Sequence, residues 1–82
     1  MKNEAMFETL VGVIREHANA GEFPAYLRDM PITPKTSLND LGLDSLSKMS
    51  LLTALMDHTD KYFPDEFFQG NRTLEEIVDQ AV

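Results

Sequence analysis

The sequence predicts an all-α fold: a four-helix bundle of three longer helices and one short one, with a long loop between the first and second. Three observations lead there. Apolar residues recur at three- and four-residue spacing in separate stretches. Capping residues, glycines and prolines fall at the ends of those stretches. No stretch alternates apolar and polar residues as a half-buried strand would.

The first helix is predicted over Asn3 to Ala20. Phe7, Leu10, Val11, Ile14 and Ala18 share helical spacing, Asn3 can cap the start, and Gly21 is placed to end it. From Gly21 to Asn39, Pro24, Pro31 and Pro34 break any sustained period, so the segment reads as a long ordered loop with room for one helical turn. A loop of that length in a compact domain must be anchored or functional, and Phe23, Tyr26, Leu27, Met30 and Ile32 supply the anchors. Asp44 is placed as the N-cap of a second helix, from Ser45 to about Thr59, rich in Leu, Met and Ala, which must stop before Pro64. Pro64, Asp65 and Glu66 suit the first turn of a short third helix, closed by Gly70. Thr73-Leu74-Glu75-Glu76 has the form of a capping box, and Leu74, Ile77, Val78 and Ala81 mark the stripe of a last helix.

Composition narrows what such a fold can do. The chain has 82 residues, enough for one domain over 1–82 and too few for a deep enclosed active site. Without cysteine, neither disulfides nor a cysteine-based metal or redox centre can brace it, so packing must hold it together. A net charge of −7 argues against nucleic acid, whose phosphates require clustered Lys and Arg. Residues 1 to 39 hold five acids against four bases, and residues 40 to 82 hold nine against three, so a basic partner would approach the C-terminal half. The longest apolar run, Met49 to Met56, falls far short of a membrane span, and no signal layout precedes the first helix. A cytoplasmic monomer without membrane attachment is the expectation.

The segment Asp40-Leu41-Gly42-Leu43-Asp44-Ser45-Leu46 is the least generic part of the chain. Gly42 permits a tight turn, Leu41 and Leu43 are placed to anchor it, Asp44 caps, and Ser45 emerges at the first helical position. A phosphodiester on Ser45 would lie at a helix N-terminus, where unpaired N–H groups and the helix dipole favour negative charge. No base that could activate Ser45 is near in sequence: His17 is on the first helix, and His58 is more than three turns away.

This string resembles the acyl carrier protein family, in which Asp-Ser-Leu after a Leu-Gly turn opens the second helix of a four-helix bundle. The resemblance extends over nearly the whole chain, through the long first loop, the mostly apolar second helix, Phe63-Pro64-Asp65-Glu66 and Thr73-Leu74. It implies a carrier that is not itself an enzyme, with 4′-phosphopantetheine attached to Ser45 by a magnesium-dependent phosphopantetheinyl transferase that uses coenzyme A. The arm's thiol would then hold acyl intermediates as thioesters. Asp44 would help the transferase dock, Leu46 would pack where the arm leaves the protein, and the partners would be the acyl-loading, condensing or modifying enzymes of one pathway.

On the predicted second helix, Leu51, Leu52 and Leu55 fall on one arc, while Leu46, Met49, Thr53 and Met56 fall on a neighbouring arc on the side of Ser45. A helix packed on one side needs an apolar stripe only somewhat over about 100° wide, so the first arc is predicted to be core. Met49, Thr53, Met56 and Asp57 are then the expected partner interface, with packing beneath the long loop as the competing reading. Relatives in fatty acid synthesis usually carry a strongly acidic second helix. Here Asp57 is the only acid between Ser45 and Thr59, and Lys48 adds a positive charge, which favours polyketide or another specialised biosynthesis. Thr59 also departs from the family, where an aromatic or aliphatic residue is usual. Tyr62, Phe63, Phe67 and Phe68 could compensate, either as core or as the wall of an acyl pocket between the second and third helices.

Other readings stay open at this level. A peptidyl or aminoacyl carrier would use the same arm, although such carriers more often show Gly-Gly-x-Ser where this chain has Leu43-Asp44-Ser45. An unmodified helical interaction module could retain the fold without the arm. A metal site from Asp57, His58, Asp60, Asp65 and Glu66 lacks both calcium-loop and zinc-helix order, so no metal is expected.

Overall fold

The computed structural model describes residues 4–63, 65–68 and 70–79. In chain order these form α1 (Glu4–Asn19), a 3₁₀ turn (Ala25–Arg28), α2 (Leu38–Leu41), α3 (Ser45–Thr59), a second 3₁₀ turn (Asp65–Phe68) and α4 (Leu74–Asp79). The all-α expectation is met. The predicted first, second and last helices are α1, α3 and α4, while Asn3, Pro64 and Ala81 lie outside the described residues.

Helix α1 buries Leu10, Val13, Ile14 and Ala18. Its stripe is therefore rotated toward Val13, with Phe7 and Val11 only half-buried. The helix ends where the expected glycine allows: Gly21 adopts φ +83°, and the Glu22 and Phe23 N–H groups both donate to the His17 carbonyl, at 2.9 and 3.3 Å.

The long loop is anchored by side chains and backbone together. Phe23 and Leu27 are core residues, and Met30 and Ile32 pack against them. From α1, the Arg15 guanidinium reaches across and donates to the Leu27 and Met30 carbonyls, at 2.7 and 2.9 Å, which satisfies loop acceptors that water would otherwise have to reach. Further on, the Leu38 N–H donates to the Arg72 carbonyl and the Leu74 N–H to the Thr36 carbonyl, both at 2.9 Å. These bonds flank an isolated antiparallel bridge between Ser37 and Thr73.

Two corrections to the expected elements follow. The loop does not run to Asn39, because Ser37 and Asp40 form a reciprocal capping box that starts α2 at Leu38. The short third helix is a single 3₁₀ turn rather than α-helix. The predicted Thr73/Glu76 box is present: Glu76 N–H donates to Thr73 Oγ1 at 3.3 Å, and Thr73 N–H to Glu76 Oε1 at 3.4 Å. The bridge between Ser37 and Thr73 thus sets two capped helix starts side by side.

The core sits between α1, α3 and α4, closed by the loop. Leu10, Ile14, Leu51, Leu55, Leu74 and Ile77 are each 0% exposed. At about 1.5–3 kcal/mol for each fully buried aliphatic side chain, this cluster is the main force opposing chain entropy in a protein without cross-links. Among the described residues, no helix is long and apolar enough to cross a membrane.

Candidate functional site

The corner that presents Ser45 is built from both sides. Helix α2 ends at Gly42, whose φ of +69° is a left-handed conformation that glycine adopts without a side-chain clash. Leu41 and Leu43, on either side of it, are both buried, so the turn is pinned to the core at two points. Above the turn lies Tyr26, whose hydroxyl donates to the Leu41 carbonyl. A Cβ at residue 42 would run into that hydroxyl, so glycine is required here for space as well as for backbone angle.

Asp44 caps α3, its carboxylate accepting from the Ser47 N–H at 2.7 Å. That bond, with the Ser47 side chain adding to it, holds the Asp44 carboxyl below the usual carboxylate range. Ser45 is the first residue of the helix and is exposed. Its hydroxyl has no protein partner among the described residues, and neither histidine is bonded to it; His17 Nδ1 is instead 2.9 Å from the Val13 carbonyl. An exposed hydroxyl on the first residue of a 15-residue helix leaves room for a bulky phosphodiester substituent at the positive end of the helix dipole.

The two predicted arcs of α3 separate. Leu51, Leu52 and Leu55 are buried. Leu46 is 78% and Met49 44% exposed, and Thr53 and Asp57 are also exposed. Met56 differs from its arc: it is half-buried and packs against the core, being the arc member closest in angle to Leu52. Packing beneath the long loop therefore does not describe Leu46 or Met49.

A groove of about 380 Å³ lies along this outer face, between Leu46, Met49, Ser50, Thr53, Ala54 and Asp57 of α3, His17 in the last turn of α1 and Glu22 just beyond that helix. For the aromatic residues after α3 the sequence allows either core packing or the wall of an acyl pocket, and core packing is what Phe63 and Phe68 adopt. Tyr62 is 61% exposed, and the Phe67 side chain lies outside the described residues. The Thr59 hydroxyl turns back to donate to the Leu55 carbonyl at 2.7 Å, and Asp60, at φ +58°, closes the helix. Among the described residues, no three His, Asp or Glu side chains converge as metal ligands.

Tyr26, His17 and Glu22 were missed as site residues because they belong to α1 and the loop, far from Ser45 in sequence. Tyr26 showed only as one more loop aromatic. Nothing in the local pattern marked His17 or Glu22.

Comparison with known proteins agrees with this geometry. The family model for the phosphopantetheine attachment site matches residues 26–81. Acyl carrier proteins of Clostridium perfringens, from strain SM101 / Type A and from strain 13 / Type A, are each 30% identical over 74 residues, spanning 90% of this chain and 90% of theirs. No solved structure matches significantly. The chain belongs to the acyl carrier protein family of phosphopantetheine carriers. Membership brings a covalently attached 4′-phosphopantetheine group and a non-catalytic role, served by a phosphopantetheinyl transferase and by biosynthetic enzymes.

Proposed function

We propose that Ser45 is the attachment point of the arm and that this carrier holds acyl intermediates for polyketide or another specialised biosynthesis rather than for general fatty acid synthesis. The observation that carries the attachment is the exposed Ser45 hydroxyl at the start of α3, without a partner among the described residues and held on a corner by Gly42 and Asp44. When bound, the group supplies a thiol that holds cargo as a thioester. The chain's own residues do the presenting. On this reading Ser45 Oγ would receive the phosphopantetheinyl group from coenzyme A, its O–P bond forming as the phosphoanhydride bond breaks, with adenosine 3′,5′-bisphosphate leaving and the hydroxyl proton passing to a base of the transferase. Asp44, kept ionised by Ser47, offers a fixed negative charge beside it for the transferase to read.

The pathway reading rests on the outer face of α3. Leu46, Met49 and Thr53 are presented there with Asp57 as the helix's one acid, so partners read shape and soft apolar surface more than charge. Met56 contributes from its half-buried edge.

Intact-mass measurement after incubation with coenzyme A and a broad-range transferase tests the attachment. The native protein is expected to gain one phosphopantetheinyl group and Ser45→Ala none; an unchanged native mass would overturn it. For the pathway, the measurement is malonyl loading of the holo protein by a transacylase of fatty acid synthesis at low and at physiological salt. Slow loading with little salt dependence is expected, and fast, steeply salt-sensitive loading would contradict the specialised role.

A further inference from the structure

The groove between α3 and the end of α1 begins at Leu46, the residue after the attachment point, and its α3 wall runs to Asp57. At 1.5 Å per residue that wall is about 16 Å long. Met49 lies about 40° around the helix from Ser45 and one turn on, so the groove opens beside the serine. From Ser45 Oγ to its thiol, a phosphopantetheine arm has roughly fourteen bonds, and an extended chain gaining about 3.5 Å per three bonds spans about 16 Å. The two lengths match.

The lining matches the arm's chemistry as well. The hydroxyls of Thr9 and Thr59 turn back onto the carbonyls four residues earlier, as helical threonines commonly do. Ser50 and Thr53 do not, and their hydroxyls have no partner among the described residues. Nor do the Glu22 and Asp57 carboxylates across and at the end of the groove. His17 donates from Nδ1 to the Val13 carbonyl and is braced by stacking on Phe23 at 4.9 Å, which leaves Nε2 as its remaining polar atom. The groove thus offers acceptors for amide N–H groups and two hydroxyls that can donate to amide carbonyls, above an apolar strip of Leu46, Met49 and Ala54. A pantetheine arm carries two secondary amides, a hydroxyl and a gem-dimethyl group, which is the complementary set.

We infer that this groove is a resting berth for the protein's own phosphopantetheine arm, lying along α3 toward α1. The inference rests on attachment at Ser45. Tethering makes even weak contacts sufficient: a short flexible link holds its ligand at an effective concentration of about millimolar, so a berth of millimolar affinity is about half filled. The arm's phosphate stays at the helix start, about 18 Å from Asp57 by helical rise, well beyond a Debye length of about 8 Å at physiological salt. Asp57, at the far end of the groove, therefore does not repel it.

Because the chain has no cysteine, a nitroxide methanethiosulfonate reagent will label the holo protein on the arm's thiol alone. Amide signals of His17, Glu22, Ser50, Thr53 and Asp57 are then expected to lose intensity selectively, while those of Asp65–Phe68 keep theirs. Thr53→Arg, an exposed substitution checked for retained helicity by circular dichroism, is expected to restore the His17 and Glu22 signals. Broadening centred on Asp65–Phe68, or spread evenly around Ser45, in protein whose mass confirms one arm would overturn the berth and leave the attachment standing. Failure of Ser45 to take the arm at all would overturn both.

Discussion

The two faces of α3 are made of similar residues and have opposite fates. Leu51, Leu52 and Leu55 are at most 1% exposed, whereas Leu46 on the same helix is 78% exposed and Met49 44%. Hydrophobicity alone does not sort them; angle around the helix does, because the inner arc meets α1 and the Asp65–Phe68 turn, while among the described residues Leu46 and Met49 of the outer arc stay exposed. In a small bundle, large apolar side chains left outside beside an exposed serine are the observation on which the proposed partner surface rests. One helix thus combines a buried face with an exposed one, which the proposed function assigns to partners, and Met56, half-buried between them, marks the boundary.

Substitutions on the two faces should have opposite consequences. Leu55→Ala removes a fully buried side chain and is expected to cost about 3 kcal/mol of stability, whereas Met49→Ala should stay within about 0.5 kcal/mol, both read by urea denaturation. Equal losses would erase the distinction. Gly42→Ala attacks the corner that aims the helix, and the left-handed angle alone should cost about 1–2 kcal/mol. Adding Tyr26→Phe, which removes the hydroxyl in the way, should recover part of that loss; additive costs in the double-mutant cycle would show that the clash is not felt.

Met49→Glu probes the outer face by function. The variant is expected to fold normally while its kcat/KM as a substrate of its pathway enzymes falls by about tenfold, equivalent to about 1.4 kcal/mol. Loss of folding would instead assign Met49 to the core. The smallest effect belongs to Asp44. Its carboxyl titrates lower in the folded chain than in the unfolded one, so its contribution is present above the unfolded value of about 3.9 and fades as pH falls through the lower folded value. The stability gap between the native protein and Asp44→Ala, followed by thermal melts, should therefore narrow below about pH 4. A gap that does not change with pH would mean that the cap works without its charge.

Much of this was legible in the residues themselves, because the deciding forces act over a few positions. The bounds of α3 followed from the Asp44 cap and the approach of Pro64, and the start of α4 from Thr73 and Glu76, side chains that bond backbone three residues away. The inner leucine arc followed from helical period, and the presentation of Ser45 from its place after Gly42 and Asp44. Helix α2 carried the same kind of signal in Ser37 and Asp40, but its four residues sit inside a proline-broken loop without a period to support them.

Only the tertiary structure could decide the rest, since it depends on groups distant in sequence meeting in space. The α1 stripe turned toward Val13, Phe63 and Phe68 went to the core rather than to a pocket, and Met56 left its arc. The same holds for Tyr26 over Gly42 and for His17 and Glu22 beside Thr53. Local bonding wrote the helices, the caps and the serine into the sequence. The packing of α1 and the long loop against α3 determined which surface remained open and what lines it.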